Sequence, residues 1–250
     1  MEHVILSTRG LSKTFGGFMA VNDVDLDVRR GNVHALIGPN GAGKTTCFNL
    51  LTKFLEPSSG RITLDGIDIT GKDPASVALL GMVRSFQISA TFGSLTALEN
   101  VRVSLQRRKA NTFNFLRSDR SLLKFDAEAM ALLDAVGLAD LAGQTASSLS
   151  YGRRRALEIA ATLAQDPKVL LLDEPMSGMG REDIALVSAL IRRISADRTV
   201  LMVEHNLPVV ADLSDRITVL ARGAVLAEGS YTEVSGNPEV VEAYLGTAHA

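Results

Sequence analysis

Over the first thirty-odd residues apolar and polar side chains alternate. Val4-Ile5-Leu6 and Val24-Asp25-Leu26-Asp27-Val28 carry the period of two that predicts strands with one buried face. Gly16-Gly17 and Arg30-Gly31-Asn32 supply the turns between them. The alternation then stops at Val33-His34-Ala35-Leu36-Ile37, a near-continuous apolar run that predicts a strand buried on both faces. A helical stretch is expected from Thr45 to Leu55, ended by Glu56-Pro57-Ser58-Ser59-Gly60, and Arg61 to Gly66 reads as a further strand and turn. From about Leu95 to Leu141 the spacing becomes helical, with Leu98, Val101 and Leu105 on one face and Leu122, Leu123, Met130, Leu133 and Val136 continuing it. Residues 107–124 are patternless and basic, and read as an insertion. Beyond Asp166, Val169–Leu172, Thr199–Val203 and Ile217–Leu220 are short apolar runs separated by helix-length segments, which predicts a mostly parallel, helix-covered sheet. The whole reads as one α/β domain over 1–250, with a catalytic core of 1–88 and 150–250 and a helical subdomain at about 89–149.

Composition adds limits. The chain has 250 residues, 46% hydrophobic and 22% charged, the balance of a folded protein. A net charge of −2 supplies no basic face for nucleic acid, so no nucleic-acid partner is expected. The single cysteine, Cys47, excludes an internal disulfide and suits a reducing compartment; a packing role is expected of it, with modification there blocking the neighbouring loop. The start, Met1-Glu2-His3-Val4, lacks the positive charge and apolar run of a secretion signal, and no run approaches the length of a bilayer span. The expectation is a soluble chain that reaches a membrane only through a partner.

Chemistry enters at Gly38-Pro39-Asn40-Gly41-Ala42-Gly43-Lys44-Thr45, which fits G-x-x-x-x-G-K-S/T without a mismatch. Glycines let backbone N–H groups turn inward around phosphates. Lys44 would neutralise β/γ charge, the Thr45 hydroxyl would reach Mg²⁺, and the helix that follows, with Thr46 in its first turn, would point its positive end at the same anion. The motif sits between a buried strand and a helix, as that mechanism requires, and predicts Mg²⁺-dependent ATP binding.

A second signal is Lys168-Val169-Leu170-Leu171-Leu172-Asp173-Glu174-Pro175, a buried strand ending in two carboxylates. An acid at a strand tip beside a phosphate loop is where Mg²⁺ needs an anchor, and Asp173 takes that role. Glu174, one residue on, is placed to orient or deprotonate an attacking water. Taken alone, such an end could equally be a strand running out into solvent.

These two motifs, with Leu149-Ser150-Tyr151-Gly152-Arg153 between them, resemble an ATP-binding-cassette (ABC) ATPase, whose signature reads L-S-G-G-Q and precedes the acidic strand by about twenty residues. The resemblance covers essentially the whole chain. It implies a P-loop fold with an N-terminal antiparallel β-subdomain, a mostly parallel core sheet and an inserted helical subdomain. It implies that Phe15 stacks on adenine, that Gln87 at the entry to the helical lobe reaches the Mg²⁺ and nucleotide, and that His205 holds the γ-phosphate and water geometry. By themselves Phe15 reads as turn packing and His205 as a capping histidine. Ser150 and Gly152 would contact the γ-phosphate held by a facing subunit, so the chain would pair head to tail with a second ATP-binding subunit, its own copy or another. Three positions depart from the family pattern: Tyr151 and Arg153 within the signature, and Gly180 where many relatives carry aspartate.

Ser85-Phe86-Gln87-Ile88, Leu98-Glu99-Asn100-Val101, the basic insertion and the ending Glu242-Ala243-Tyr244-Leu245-Gly246 are similar to the longer ATPase subunit of bacterial branched-chain amino acid importers. That implies transmembrane permease partners, an extracytoplasmic solute-binding protein acting indirectly, and a place on the cytoplasmic face of the inner membrane. Cargo stays open among branched-chain amino acids, amides, urea and aromatic acids. Other readings are a lipopolysaccharide-export ATPase, a soluble ABC protein of translation or repair, an ATP sensor without turnover, or a kinase or GTPase. The last lacks its N/T-K-x-D base-reading motif. The cluster Arg107, Arg108, Lys109, Arg117, Arg120 and Lys124 reads either as a solvated face or as a contact for anionic lipid.

Overall fold

The computed structural model describes residues 3–85, 91–109 and 123–245. The chain divides into two compact units: the first holds Met1–Arg84, Lys168–Pro175 and Arg192–Ala250, the second Ser85–Pro167 and Met176–Ile191.

The first unit contains two sheets. β1 (Val4–Phe15) and β2 (Phe18–Arg29) form a hairpin closed over Gly16-Gly17, with Phe15 opposite Phe18. Both strands run far beyond the clean alternation in the sequence, because register shifts, among them one between Thr8 and Leu11, let the twisted ribbon continue where strict periodicity breaks. The second sheet opens with β3 (Val33–Ile37), whose five residues are all buried, as the continuous run predicts. The phosphate-loop helix α1 (Lys44–Leu51) follows, and then β4 (Ser59–Leu64) and β5 (Ile67–Asp68) complete the first sheet in the antiparallel order β2-β1-β4-β5.

α1 stops four residues short of the expected Leu55. Thr52 turns its hydroxyl back onto the Phe48 carbonyl at 2.8 Å, and Lys53 takes a left-handed φ of 61° that no continuing helix allows. The Lys53 ammonium is fully buried and held by Glu56 at 2.8 Å, which fixes the turn.

After α2 (Pro74–Leu79) and β6 (Met82–Ser85), the chain leaves for α3 (Ala97–Lys109), α4 (Asp126–Ala135) and α5 (Tyr151–Leu163), then returns as β7 (Val169–Asp173). α6 (Arg181–Ser195), β8 (Thr199–Val203), α7 (Leu207–Leu213), β9 (Arg216–Ala221), β10 (Ala224–Gly229), α8 (Tyr231–Ser235) and α9 (Pro238–Leu245) close the fold. The second sheet has the order β10-β9-β3-β8-β7-β6, with β3, β7, β8 and β9 parallel and β10 antiparallel at the edge. The β9–β10 hairpin has no counterpart in the sequence reading: Val225 and Leu226 are only half-buried on this edge strand, so the apolar run is too weak to stand out. Cys47, Phe48, Leu50 and Leu51 of α1 join side chains from both sheets in a single core cluster, each large apolar group contributing about 1.5–3 kcal/mol by leaving water.

In the second unit α3 packs on α4 and α5. Val101 and Leu105 are fully buried and Leu98 lies at the margin of that face. Thr96 and Glu99 cap the start of α3 reciprocally, with the Thr96 amide on the Glu99 carboxylate at 2.7 Å and the Glu99 amide on the Thr96 hydroxyl at 3.2 Å. Residues 110–122 of the basic stretch lie outside the described residues, as does Gln87.

Candidate nucleotide site

Parallel pairing brings three strand ends to one edge of the second sheet. Asp173 stands opposite Val203 in β8, and Val203 stands opposite Leu36 in β3. The residues that leave these strands, Gly38, Glu174 and Glu204, therefore emerge side by side. A residue at the end of β7 and a loop 130 positions earlier meet only because of this register.

The loop from Gly38 to Thr46 is shaped by two contacts no side chain could survive. A Cβ on Gly38 would lie 2.1 Å from the Leu220 carbonyl oxygen, and one on Gly43 would lie 2.5 Å from that of Ala20. Gly43 is also the N-cap of α1 and, lacking a side chain, provides no cap bond. The first-turn amides of α1 are thus left to an external acceptor, as an anion site requires. Lys44 Nζ donates to the carbonyls of Gly38 at 2.7 Å and Pro39 at 3.0 Å, holding the ammonium over the loop. Burial pushes that ammonium below the usual lysine range, and the charge of Glu174 offsets part of the shift. Thr45 is exposed at the first turn of α1.

Asp173 is buried, its side chain 4% exposed, and Arg84 at the end of β6 donates to its Oδ2 at 2.5 Å. Glu174 has a left-handed φ of 44° and its amide donates to the Val203 carbonyl at 2.9 Å. For a residue with a side chain, that conformation costs on the order of 1 kcal/mol and turns the carboxylate off the strand line. Glu174 Oε1 comes 3.9 Å from His205 Nδ1. The His205 loop is itself fixed by Glu204, fully buried, whose carboxylate accepts from the amides of His205 at 3.0 Å and Asn206 at 3.2 Å. Lys44, Thr45, Asp173, Glu174 and His205 therefore lie on the segments that leave one edge of the sheet. Arg84 and Glu204 were missed. Their partners are far away in the chain or in the backbone, and no spacing signals either.

Phe15 is 44% exposed at the hairpin tip with Lys13 Nζ 5.1 Å from its ring centre, and Phe18 opposite is 68% exposed. Ala20, two residues beyond Phe18, is the residue whose carbonyl crowds Gly43, which places the strand bearing Phe18 beside the loop. Cys47 is fully buried and its thiol pushed up to about 12 by that burial, so reagents that need a thiolate cannot use it as a probe of the folded loop.

The signature residues belong to the second unit. Ser150 is the N-cap of α5, its hydroxyl accepting from the Arg153 amide. Gly152 is buried, and a Cβ there would lie 2.3 Å from the Asp183 carboxylate and 2.8 Å from its Cβ. The two departures beside it, Tyr151 and Arg153, are exposed, and Tyr151 donates to the Ser177 carbonyl at 3.2 Å. At Gly180, whose carbonyl accepts the first helical bond of α6 from Ile184, a Cβ would meet open space.

A family model described as ABC transporter matches residues 21–177, and the chain belongs to that family: it is an ATP-binding cassette of the ABC ATPase class. A second model, described as Branched-chain amino acid ATP-binding cassette transporter, matches residues 224–250. Within the family the chain is 41% identical to the high-affinity branched-chain amino acid transport ATP-binding protein BraF of Pseudomonas aeruginosa, over 99% of this chain and 100% of that protein. Among solved structures it is similar to the ADP conformation of MJ1267, an ATP-binding cassette of an ABC transporter, with a TM-score of 0.86 and 31% identity over 98% of this chain and 99% of that one. MJ0796, a bacterial ABC transporter cassette solved as a dimer, matches with a TM-score of 0.74 and 25% identity over 91% of this chain and 99% of that one. No helix among the described residues is long and apolar enough to cross a membrane.

Proposed function

We propose that this chain is the ATP-hydrolysing subunit of a bacterial importer for branched-chain amino acids or a related small polar solute, working as one half of a head-to-tail pair on the cytoplasmic face of the membrane. The observation that carries the reading is the gathering of Lys44, Thr45, Asp173, Glu174 and His205 at one sheet edge. Full-length similarity to BraF supports the cargo class.

ATP would lie with its phosphates on the amides of Gly38–Thr46 and its base on Phe15. Lys44 neutralises charge that spreads over the β/γ-phosphates, most of what phosphoryl transfer asks of a protein. The donor set offered to a metal is two hard oxygens, the Thr45 hydroxyl and the Asp173 carboxylate, which suits Mg²⁺. Among the described residues no group of three or more His, Cys, Asp or Glu is placed to hold a metal ion by itself. When bound, Mg²⁺ supplies charge neutralisation and orientation of the phosphates; Gln87 is assigned to the same site. Glu174 holds the attacking water and takes its proton, and His205 keeps that geometry. Ser150 and Gly152 serve the partner subunit's nucleotide, and closure of the pair on ATP drives permease subunits that receive cargo from an extracytoplasmic binding protein.

Purification of the tagged chain from its native membranes tests the assignment. Two hydrophobic permease chains and a second, shorter ATPase should co-purify; recovery with no membrane subunit would overturn the transport reading.

A further inference from the structure

Arg84 is spent in an unusual way for a guanidinium beside a carboxylate. Its planar fork matches a carboxylate's two oxygens, yet only Nη2 goes to Asp173, at 2.5 Å on Oδ2. The other arm, Nη1, donates instead to the Asn49 side-chain oxygen at 2.6 Å. The guanidinium lies 5.8 Å from the ring centre of Phe48, itself fully buried, and the Arg84 side chain is 11% exposed. Its Nε is buried without an acceptor among the described residues, so its hydrogen bonding runs along one line, from Asn49 to Asp173.

Asn49 follows Thr45 by four residues in α1. One helical turn apart, the two side chains lie on the same face. The line therefore joins the helix that carries the Thr45 hydroxyl to the strand that carries Asp173, through a rigid planar group fixed at both ends. We infer that Arg84 is a positioning residue for the metal: it sets the separation between Thr45 and Asp173. This rests on the reading that these two residues hold Mg²⁺.

Charge and geometry make opposite forecasts here, which gives the inference an edge. A cation beside a metal site repels Mg²⁺, so a role in charge alone would make loss of Arg84 tighten Mg²⁺. A strut makes its loss weaken Mg²⁺, and partners that orient metal-holding groups are typically worth about ten- to a hundredfold in metal affinity. Removing Arg84 also leaves Asp173 buried without its guanidinium, a change that can unfold a protein. Asn49→Ala avoids this, because it cuts the far end of the strut and keeps the ion pair.

The test titrates MgCl₂ against the full-length chain and a fluorescent ATP analogue, comparing nucleotide affinity in Mg²⁺ with that in EDTA. Wild type, Asp173→Asn, Arg84→Lys and Asn49→Ala are compared after thermal melts confirm folding. Arg84→Lys keeps the charge but cannot bridge two acceptors as a planar fork. The expected result is an Mg²⁺ requirement raised about tenfold in Arg84→Lys and severalfold in Asn49→Ala, with affinity in EDTA unchanged. If Asp173→Asn shifts the Mg²⁺ requirement but neither strut variant does, or if they lower it, the positioning role falls while the metal reading stands. If Asp173→Asn itself leaves the requirement unchanged, the metal reading falls and takes the strut with it. Should Arg84→Lys fail to fold, Asn49→Ala decides alone.

Discussion

The phosphate-loop edge of the first unit and the signature helix of the second both present backbone amides at a helix N-terminus, but they finish that end differently. α1 begins at Gly43, which has no side chain to cap it, so its amides wait for an anion. α5 begins at Ser150, whose hydroxyl already accepts from Arg153. Around α1 the supporting groups are buried and charged, with Asp173 on Arg84 and Glu204 on two amides. Around α5 the neighbours at 151 and 153 are exposed, and only Gly152 is confined. The first end is built to be completed by its ligand. The second has one first-turn amide capped by its own serine, and the departures from the family signature fall on the exposed positions beside it while Ser150 and Gly152 keep to the signature.

The contrast breaks first at Lys44. Replacing it with alanine removes a charge-assisted contact worth roughly 1.5–3 kcal/mol, so ATP affinity should fall about ten- to a hundredfold by fluorescent-nucleotide titration. Tight Mg·ATP binding by Lys44→Ala would mean the loop is not the phosphate cradle.

Acid sensitivity should locate in the first unit. His34 in β3 is buried, its Nε2 2.8 Å from the Thr218 hydroxyl, which donates to Glu228 at 3.1 Å. Burial lowers its pKa from 6.5 to about 4; Glu228 and Asp27 raise it, while Arg216 and Arg29 lower it further. The unfolded chain takes up a proton below pH 6.5 that the folded chain refuses until about pH 4. His34 therefore favours folding fully above that window, and stability should decline by about 3 kcal/mol as pH falls through it. Urea melts of His34→Gln should show a flatter decline between these limits; an identical slope would remove His34 as the cause.

Sterics sharpen the second unit. Gly152→Ala drives a methyl into Asp183 and should cost about 1–3 kcal/mol, partly recovered in the double variant with Asp183→Ala, which removes the carboxylate but keeps the Cβ 2.8 Å away. Purely additive costs would show that the crowding is not what confines residue 152. Tyr151→Phe and Arg153→Gln, on exposed positions, should each shift stability by less than about 0.5 kcal/mol.

Much of the first region can be read from the chain, because its motifs are local. Gly38 to Thr45 is contiguous, and Asp173-Glu174 ends a run of apolar residues that only a buried strand would use. Arg84, Asn49 and Glu204 are invisible there: Arg84 and Asn49 matter through partners distant in the chain, and Glu204 through neighbouring backbone amides that no residue pattern announces. β1 was underestimated because its register shifts break the period of two, and the end of α1 was misplaced because a lysine took the left-handed position usually left to glycine. Fully buried β3, β7 and β8 were recovered residue for residue or within one, as continuous apolar runs allow little else.

The central claim is that Glu174, turned off the end of β7, activates water over a nucleotide held by the loop. Steady-state ATP hydrolysis and Mg·ATP binding should be measured side by side for wild type and Glu174→Gln. Binding should survive while turnover falls about 10²–10⁴-fold, the usual worth of a positioned base. Turnover equal to wild type in Glu174→Gln would contradict the account at its centre.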